Sequence, residues 1–490
     1  MTTVVISDGP MSLDDLVAIV QGAPVALADT ARDRMAASRA VVDRALAADE
    51  AVYGLTTRVG HDRDIRLTED EIRDQQLFLI MTHGGGLGPA MTVPVVRAAL
   101  AVRLNGLARG GSGASPAAAD VLVAMLNHGV HPVVPGVGSV GAGDLSLLAG
   151  MAQVAVGAGR AVYREEILPG GEALARAGIE PLTPSGKDGL ALISSNAVSI
   201  GQAALVAVRA RRIAHLADIA AALSMEALGA NPSVLEPAVM AAKGIAGQGA
   251  AADHLRRLLE GGSLVEPGAA HSVQDALSVR VVPQVHGALR HFSTGLADAV
   301  AQELNAAADN PLVSVAGQTL ISNGNFHPMV MAIAADALRI AVTHVGQLSE
   351  RRMAHLWDAI FAGTGTGRPP RAPGGVGLRY PGAAVFSELR HLAAPATLDT
   401  PPQDLGVEDH STGAPLTVRL ADRSLDLLED LLVIEMLLAR DALLVAKDSD
   451  RRLGRGTSAA LEVVEKAVGG GSTPDEIHAV AKDHLGELVE

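Results

Sequence analysis

The sequence contains no cysteine, and only 2% of its 490 residues are aromatic. The absence of cysteine excludes disulfide bonds, thiolate nucleophiles and cysteine-ligated metal sites. With so few aromatic rings, the core has to be built from Ala, Val, Leu and Ile. The sequence also lacks the glycine-rich motifs that bind the phosphates of nucleotides, and it shows no cluster with metal-ligand spacing.

Basic residues are outnumbered by acidic ones, 39 to 54, which gives a formal net charge of −15. This excess of negative charge disfavours nucleic acid and anionic membranes as partners. The N-terminal residues 1–5 lack the basic segment of a secretory signal. The most apolar stretches, such as residues 431–446, are interrupted by charged residues. We therefore expect a cytoplasmic protein.

Four long stretches rich in Ala and Leu have a hydrophobic spacing close to that of an α-helix. They lie at residues 187–230, 272–307, 327–362 and 412–447. Pro283 is expected to kink the second one. Their faces are apolar almost all round, which is typical of helices buried in a bundle.

Signals for β-strands are few and short, at residues 4–6, 161–163 and 312–315 with 320–321. The pattern predicts a mainly α-helical protein. We predict an N-terminal domain (1–185), a central long-helix bundle (186–450) and a C-terminal helical segment (451–490). Residues 363–377 are so rich in Gly and Pro that a long functional loop is expected there.

A glycine-rich loop precedes an apolar helical run in the N-terminal part of the chain. It reads Gly138-Ser139-Val140-Gly141-Ala142-Gly143-Asp144-Leu145. Three glycines in six positions indicate a tight turn or a close approach to a ligand. By itself, the loop indicates only a turn that opens a buried helix.

Several polar residues stand in apolar context and are candidates for a site. They are Tyr53, His83, Gln274, Arg280, Phe326 with its neighbours Asn325 and His327, and Glu408. Each has a structural alternative: Tyr53 can be a core residue with a satisfied hydroxyl. Likewise, Arg280 can be an ion-pair partner, and Glu408 an ordinary acid near a helix start. Singly, none of them indicates a function.

Together, these segments resemble the histidine and aromatic amino-acid ammonia-lyase family, in order and over nearly the whole chain. The matching segments are Tyr53-Gly54, His83, Arg109-Gly110, the loop Gly138 to Leu145, Lys187-Asp188-Gly189, Gln274-Asp275 with Arg280, Asp309-Asn310-Pro311, Gly324-Asn325-Phe326-His327 and Glu408-Asp409-His410. The resemblance implies a mainly helical, long-helix-bundle homotetramer in which each active site is assembled from several subunits.

The sequence departs from the family pattern at the groups that handle the substrate amine. The family loop contains Ala-Ser-Gly, which cyclises and dehydrates to an electrophilic methylidene-imidazolone. Here the loop reads Ala142-Gly143 and is one serine short, so we expect no such prosthetic group and no other cofactor. In addition, Ser194 stands where the family has an amine-binding asparagine, and Leu277 where it has a second tyrosine.

The retained residues take their roles from the resemblance. Tyr53 would remove the β-proton, His83 and Glu408 would hold an imidazole ring, and Arg280 would pair with the substrate carboxylate. Further predicted contacts come from Gln274, Asn310, Ser194, Leu277, Phe326 and Arg379, or Arg371 in place of Arg379.

A substrate amine that is already quaternary needs no electrophile to leave. The resemblance therefore narrows to ergothionases, relatives that lack the prosthetic group. The expected substrate is an imidazole-type amino-acid betaine, ergothioneine, which would give thiourocanate and trimethylamine. The alternatives are hercynine or another histidine-like acid as substrate, a non-catalytic paralogue, and an ordinary histidine ammonia-lyase whose serine is missing only through a sequence error.

Overall fold

The computed structural model describes residues 2–364, 374–398, 400–446 and 451–488. Most of these residues are helical. The α-helices are α1 (Leu13–Val20), α2 (Asp29–Ala47), α3 (Glu69–His83), α4 (Val93–Ala108), α5 (Pro116–His128), α6 (Leu145–Ala155), α7 (Gly170–Ala177), α8 (Asp188–Ile193), α9 (Ala197–Leu228), α10 (Pro237–Lys243), α11 (Ala246–Leu259), α12 (Leu277–Arg280), α13 (Val282–Leu304), α14 (Met329–Thr364), α15 (Arg379–His391), α16 (Ala414–Val445), α17 (Arg455–Gly470) and α18 (Pro474–Asp483).

The strands are short and form four small sheets. They are β1 (Val4–Ile6), β2 (Val25–Leu27), β3 (Leu87–Ala90), β4 (His131–Pro132), β5 (Pro135–Val137), β6 (Arg160–Tyr163), β7 (Glu166–Pro169), β8 (Leu312–Ser314) and β9 (Thr319–Ile321). Strands β1 and β2 pair in parallel, whereas β3–β5, β4–β6–β7 and β8–β9 are antiparallel. The strands predicted at residues 4–6, 161–163 and 312–315 with 320–321 are confirmed.

The four long helical stretches are confirmed as α8 with α9, α12 with α13, α14 and α16. The predicted interruption of the second stretch is present, but it lies two residues before Pro283. The chain breaks at Val281 between α12 and α13, so Pro283 is the second residue of a new helix. Proline is tolerated there because the first turn leaves its N–H groups without intrahelical partners.

By spatial contacts the chain divides into two compact units. Unit 1 comprises Met1–Val206, Ala297–Ile333 and Pro395–Arg419, and unit 2 comprises Ala207–Leu296, Ala334–Ala394 and Leu420–Glu490. The three consecutive domains inferred from the sequence stay a prediction. Of the predicted loop 363–377, residues 365–373 and hence Arg371 lie outside the described residues, while residues 375–378 form a short 3₁₀ turn before α15.

Two helical stretches are long and apolar enough to cross a membrane by length and composition, Asp188–Leu228 and Met329–Thr364. Their most apolar windows are 83% and 56% buried within the protein. Such burial is what a core helix shows, so the two stretches are weak evidence for a membrane span. The cytoplasmic location inferred from the sequence stays a prediction.

Candidate active site

A cavity of about 370 Å³ in unit 1 brings together most of the residues singled out in the sequence. Its lining combines backbone turns, two carboxylates, two imidazoles and several apolar side chains. The lining residues are Tyr53, Val59, Gly60, His61, Leu79, His83, Ala142, Leu145, Leu190, Ile193, Ser194, Asn310, Phe326, Asp404 and Glu408. Because these residues come from six separated parts of the chain, the cavity exists only in the folded unit.

The glycine-rich loop contributes Ala142 to the cavity wall. Gly141 and Gly143 pair across it with positive φ angles of 95° and 78°, so the loop closes into a tight turn with Ala142 at its tip. A Cβ on Gly141 would overlap the hydroxyl of Thr412, which donates a 2.9 Å hydrogen bond to the Gly141 carbonyl. Glycine is therefore required at this position for both conformation and space.

Asp144 fixes the loop to the start of α9. Its buried carboxylate accepts hydrogen bonds from the Ser199 N–H at 2.8 Å, the Ser199 hydroxyl at 3.0 Å and the Ser139 hydroxyl at 3.1 Å. Complete burial raises the pKa of Asp144 to about 6 in spite of these donors. The Asp144 N–H also donates to the Ser195 carbonyl at 2.7 Å, next to Ser194 in the cavity wall.

Tyr53 lies in the cavity with its hydroxyl oxygen held by the backbone. The Gly60 N–H donates to this oxygen at 3.0 Å, a contact that favours the phenolate. Burial nevertheless raises the pKa of Tyr53, and the negative charges of Glu408 and Asp404 raise it further. In the free protein Tyr53 is therefore a neutral phenol at neutral pH.

His61 and Asp404 line the cavity although sequence reasoning did not select them. The His61 Nδ1 and the Asp404 Oδ1 are 2.6 Å apart, and this hydrogen bond raises the pKa of His61. The two residues are 343 positions apart. Only their positions in the sequence could have pointed to them. His61 follows the segment that contains Tyr53, and Asp404 lies four residues before Glu408.

Two further predicted residues, His83 and Glu408, occupy other parts of the lining. His83 ends α3, and its Nδ1 lies 2.9 Å from the Leu79 carbonyl, so Nδ1 carries the proton and Nε2 is left as an acceptor. Glu408 is half-buried, and burial, followed by the charge of Asp404, raises its pKa. The ring-nitrogen acceptor of His83 and the carboxyl of Glu408 suit a ring that has both a donor and an acceptor.

Ser194, Asn310 and Phe326 complete the predicted part of the lining. Ser194 caps α8, and its hydroxyl lies 3.4 Å from both the N and the O of Asn310. The Asn310 side-chain oxygen accepts from the Asn323 N–H at 3.0 Å. Phe326 packs edge-on against His327, which in turn stacks on His410.

Four predicted substrate contacts lie in unit 2 and are not among the cavity's lining residues. Arg280 ends α12, whereas Gln274 and Leu277 are exposed, Leu277 by 58%. The Arg379 guanidinium donates to Glu350 at 2.8 Å. Their roles as substrate contacts stay predictions.

The loop residues do not fit a methylidene-imidazolone. The group needs a hydroxyl that leaves as water, and the tip of the turn carries only the Ala142 methyl and the Gly143 hydrogen. Ser139 is engaged elsewhere, since its hydroxyl donates to the Gly143 carbonyl at 2.8 Å and accepts from the Gly141 N–H at 3.1 Å. Among the described residues there is also no group of His, Asp and Glu that could hold a metal ion.

Comparison with known proteins relates the whole chain to amino-acid lyases. The family model described as aromatic amino acid lyase matches residues 11–466. Histidine ammonia-lyase of Gloeobacter violaceus is 39% identical over 481 residues, which cover 96% of this chain and 92% of that protein. The histidine ammonia-lyase of Anaeromyxobacter sp. (strain K) is 39% identical over 459 residues, 90% of each protein.

Solved structures of similar fold include two enzymes with different substrates. Ergothionase from Treponema denticola, in complex with desmethyl-ergothioneine sulfonic acid, superimposes with a TM-score of 0.93 at 25% identity and 99% coverage of both chains. Histidine ammonia-lyase from Trypanosoma cruzi gives a TM-score of 0.88 at 29% identity, covering 99% of this chain and 94% of that one.

Proposed function

The chain belongs to the aromatic amino acid lyase family, and from this premise we propose that it is a carbon–nitrogen lyase that releases trimethylamine from ergothioneine. The observation that carries the proposal is the Ala142 methyl at the tip of the loop, in the cavity wall, where the family pattern has the dehydrating serine. An ammonia-lyase without an electrophile cannot activate a primary amine. A trimethylammonium group needs no activation because it departs as a neutral amine.

The proposed reaction is a 1,2-elimination that balances without a cofactor. Tyr53, as phenolate, takes the β-proton. The electrons of the C–H bond form the new double bond, and those of the C–N bond leave with trimethylamine. The raised pKa of Tyr53 opposes this role in the free protein. A bound trimethylammonium group acts in the opposite direction, because its positive charge favours the phenolate.

The imidazole-derived ring would be held by His83 and Glu408. The free Nε2 of His83 can accept a ring N–H, and the carboxyl of Glu408 can share a proton with the other ring nitrogen. Negative charge that moves into the ring as the proton is removed would be stabilised by these contacts. Ser194, with a short side chain where the family has asparagine, leaves room for the methyl groups.

Binding of the carboxylate is assigned to Arg280, with Gln274 and Leu277 on the same segment, and Arg379 is kept as a contact to the sulfur. These residues belong to unit 2. In the proposed homotetramer they would be contributed by another subunit, as the family resemblance implies. Neither a metal nor a prosthetic group takes part in the proposed reaction.

Identity of 39% to histidine ammonia-lyases supports a second candidate, a lyase acting on histidine or another histidine-like acid such as hercynine. Purified protein incubated separately with ergothioneine and hercynine distinguishes the substrates by trimethylamine release. The proposal predicts release from ergothioneine with a new ultraviolet-absorbing product. No release from either compound would refute it, and an assay of ammonia release from histidine then separates a histidine lyase from a non-catalytic paralogue. An intact mass that lacks the loss of water would exclude the sequence-error alternative.

A further inference from the structure

The cavity in unit 1 carries negative charge and no strong cation. Asp404 and Glu408 supply two carboxylates, and His61 and His83 are the basic side chains in the lining, which contains neither Lys nor Arg. Its aromatic rings are those of Tyr53 and Phe326, too few for the aromatic cage that often binds quaternary ammonium groups. A cationic part of a ligand therefore has to be matched by a carboxylate.

Asp404 is held so that one carboxylate oxygen is left without a donor. Its Oδ1 is bonded to the His61 Nδ1, while no N–H or O–H of the described residues donates to Oδ2. Oδ2 lies against Gly60, where an added Cβ would overlap it. An ammonium group with three methyls has no N–H and needs charge rather than hydrogen bonds. An unbonded carboxylate oxygen suits such a group.

The backbone that presents Asp404 is strained. Asp404 and Leu405 both have left-handed φ angles, 49° and 54°, which residues with a Cβ seldom adopt. Leu405 is 85% exposed, so its own packing does not explain this conformation. Strain of this kind is found where a side chain has to be placed for function.

The second carboxylate of the cavity has different surroundings. Burial and the charge of Asp404 both raise the pKa of Glu408, so Glu408 retains a proton more readily. A carboxyl that keeps its proton more readily is better suited to hydrogen-bond a ring nitrogen than to balance a positive charge. Glu408 then faces the ring nitrogen of the substrate, and Asp404 is left to meet its positive charge.

We propose that Asp404, oriented by His61, is the counter-ion of the substrate's quaternary ammonium group and the residue that selects for it. The inference rests on the proposed function, which supplies the betaine. The same contact would link substrate binding to proton removal by Tyr53. The negative charges of the carboxylates favour the neutral form of Tyr53, and the positive charge of the bound ammonium group offsets them. Binding of the correct substrate thereby favours the phenolate.

The test compares D404N with D62N. Both substitutions remove one negative charge from beside His61, but Asp62 lies 3.5 Å from the His61 Nε2, pairs with Arg58 and is absent from the cavity lining. Asparagine preserves the shape of Asp404 and can still accept from His61. The probe is tetramethylammonium, titrated calorimetrically into the full-length protein, with the neutral isostere tert-butanol as reference. This readout needs no turnover.

In the wild-type protein and in D62N, tetramethylammonium should bind more tightly than tert-butanol. In D404N its affinity should fall by about tenfold or more, and the KM for ergothioneine should rise by a similar factor with little change in kcat. Equal binding of tetramethylammonium to D404N and to the wild type, or its loss in E408Q alone, would overturn the assignment. A protein that binds the probe through Asp404 but releases no trimethylamine would refute the proposed reaction and leave the cation site standing.

Discussion

Tyr53 has one contact that stabilises its phenolate form, but its surroundings favour the neutral phenol. The Gly60 N–H supports a negative charge on its oxygen, but burial and the nearby acids raise its pKa. The free protein therefore does not hold Tyr53 as a phenolate. The positive charge of the substrate has to contribute, and a single tyrosine becomes active only in the complex.

Substitution Y53F should lower kcat by about a hundredfold to ten-thousandfold, since this is the usual contribution of a general base. The matched control is Y163F. Tyr163 is also buried in unit 1, but its hydroxyl bonds the Arg176 carbonyl, outside the cavity. Its loss should cost about 1 kcal/mol of stability and leave kcat unchanged. Trimethylamine release and thermal melting measure both effects. Equal kcat values for the two variants would exclude Tyr53 as the base.

The pH dependence should differ between kcat and kcat/KM. The rate rises as Tyr53 loses its proton, and kcat/KM reports the free enzyme, in which the pKa of Tyr53 is raised. In the complex the ammonium charge lowers this pKa, so the rise of kcat should occur at lower pH than that of kcat/KM. Steady-state kinetics over the alkaline range test this order. If kcat and kcat/KM rise at the same pH, or kcat at the higher pH, the proposed effect of the ammonium charge on Tyr53 would be contradicted.

Asp144 connects the glycine-rich loop to the start of α9. This carboxylate binds both Ser199 on α9 and Ser139 in the loop. The Asp144 N–H binds the Ser195 carbonyl beside Ser194, so the Ala142 tip and the end of α8 are held together. The sequence indicated a tight turn here, but it did not reveal the connection to α9, which begins more than fifty residues later.

The raised pKa of Asp144 predicts a pH-dependent stability. Its folded-state pKa of about 6 exceeds the ordinary 3.8, so its contribution to stability is complete below pH 3.8 and is lost as the pH rises through 6. The difference in unfolding free energy between the wild type and D144N should therefore shrink by about 2 kcal/mol between pH 4.5 and 7. Urea unfolding measures it, with D64N at an exposed position as the control. A difference that grows with pH would show that Asp144 is held ionised.

At the scale of the whole molecule, hydrophobic spacing predicted the long helices and the mainly helical class. The fold is confirmed by its similarity to histidine ammonia-lyase and ergothionase structures. Local interruptions were not predictable from spacing. Examples are the break between Ile193 and Ala197, inside a stretch predicted as one helical run, and the one at Val281 before Pro283.

The cavity was predictable only where the family resemblance pointed to it. Tyr53, His83, Ser194, Phe326 and Glu408 were selected in this way and lie in one lining. The pair of His61 and Asp404 was missed because two irregular loops bring these side chains together, and no periodic pattern records a contact of this kind.

The proposed homotetramer predicts a mass in solution of four times the 50.0 kDa chain mass. Three apolar side chains on α14 are exposed in the single chain, Val330 by 68%, Ile333 by 53% and Ile340 by 42%, and assembly would cover them. Light scattering should give the tetramer for the wild type and a smaller species for I333D. I167D, at a similarly exposed position on β7, is the control. A monomeric wild type would contradict the assembly.

The most direct measurement of the central claim is the identity of the amine released when one preparation is given histidine and ergothioneine together. A cavity that lacks the electrophile and carries Ala142 in its wall should release trimethylamine and no ammonia. Ammonia release from histidine would show that the protein activates a primary amine, and that result would contradict the account.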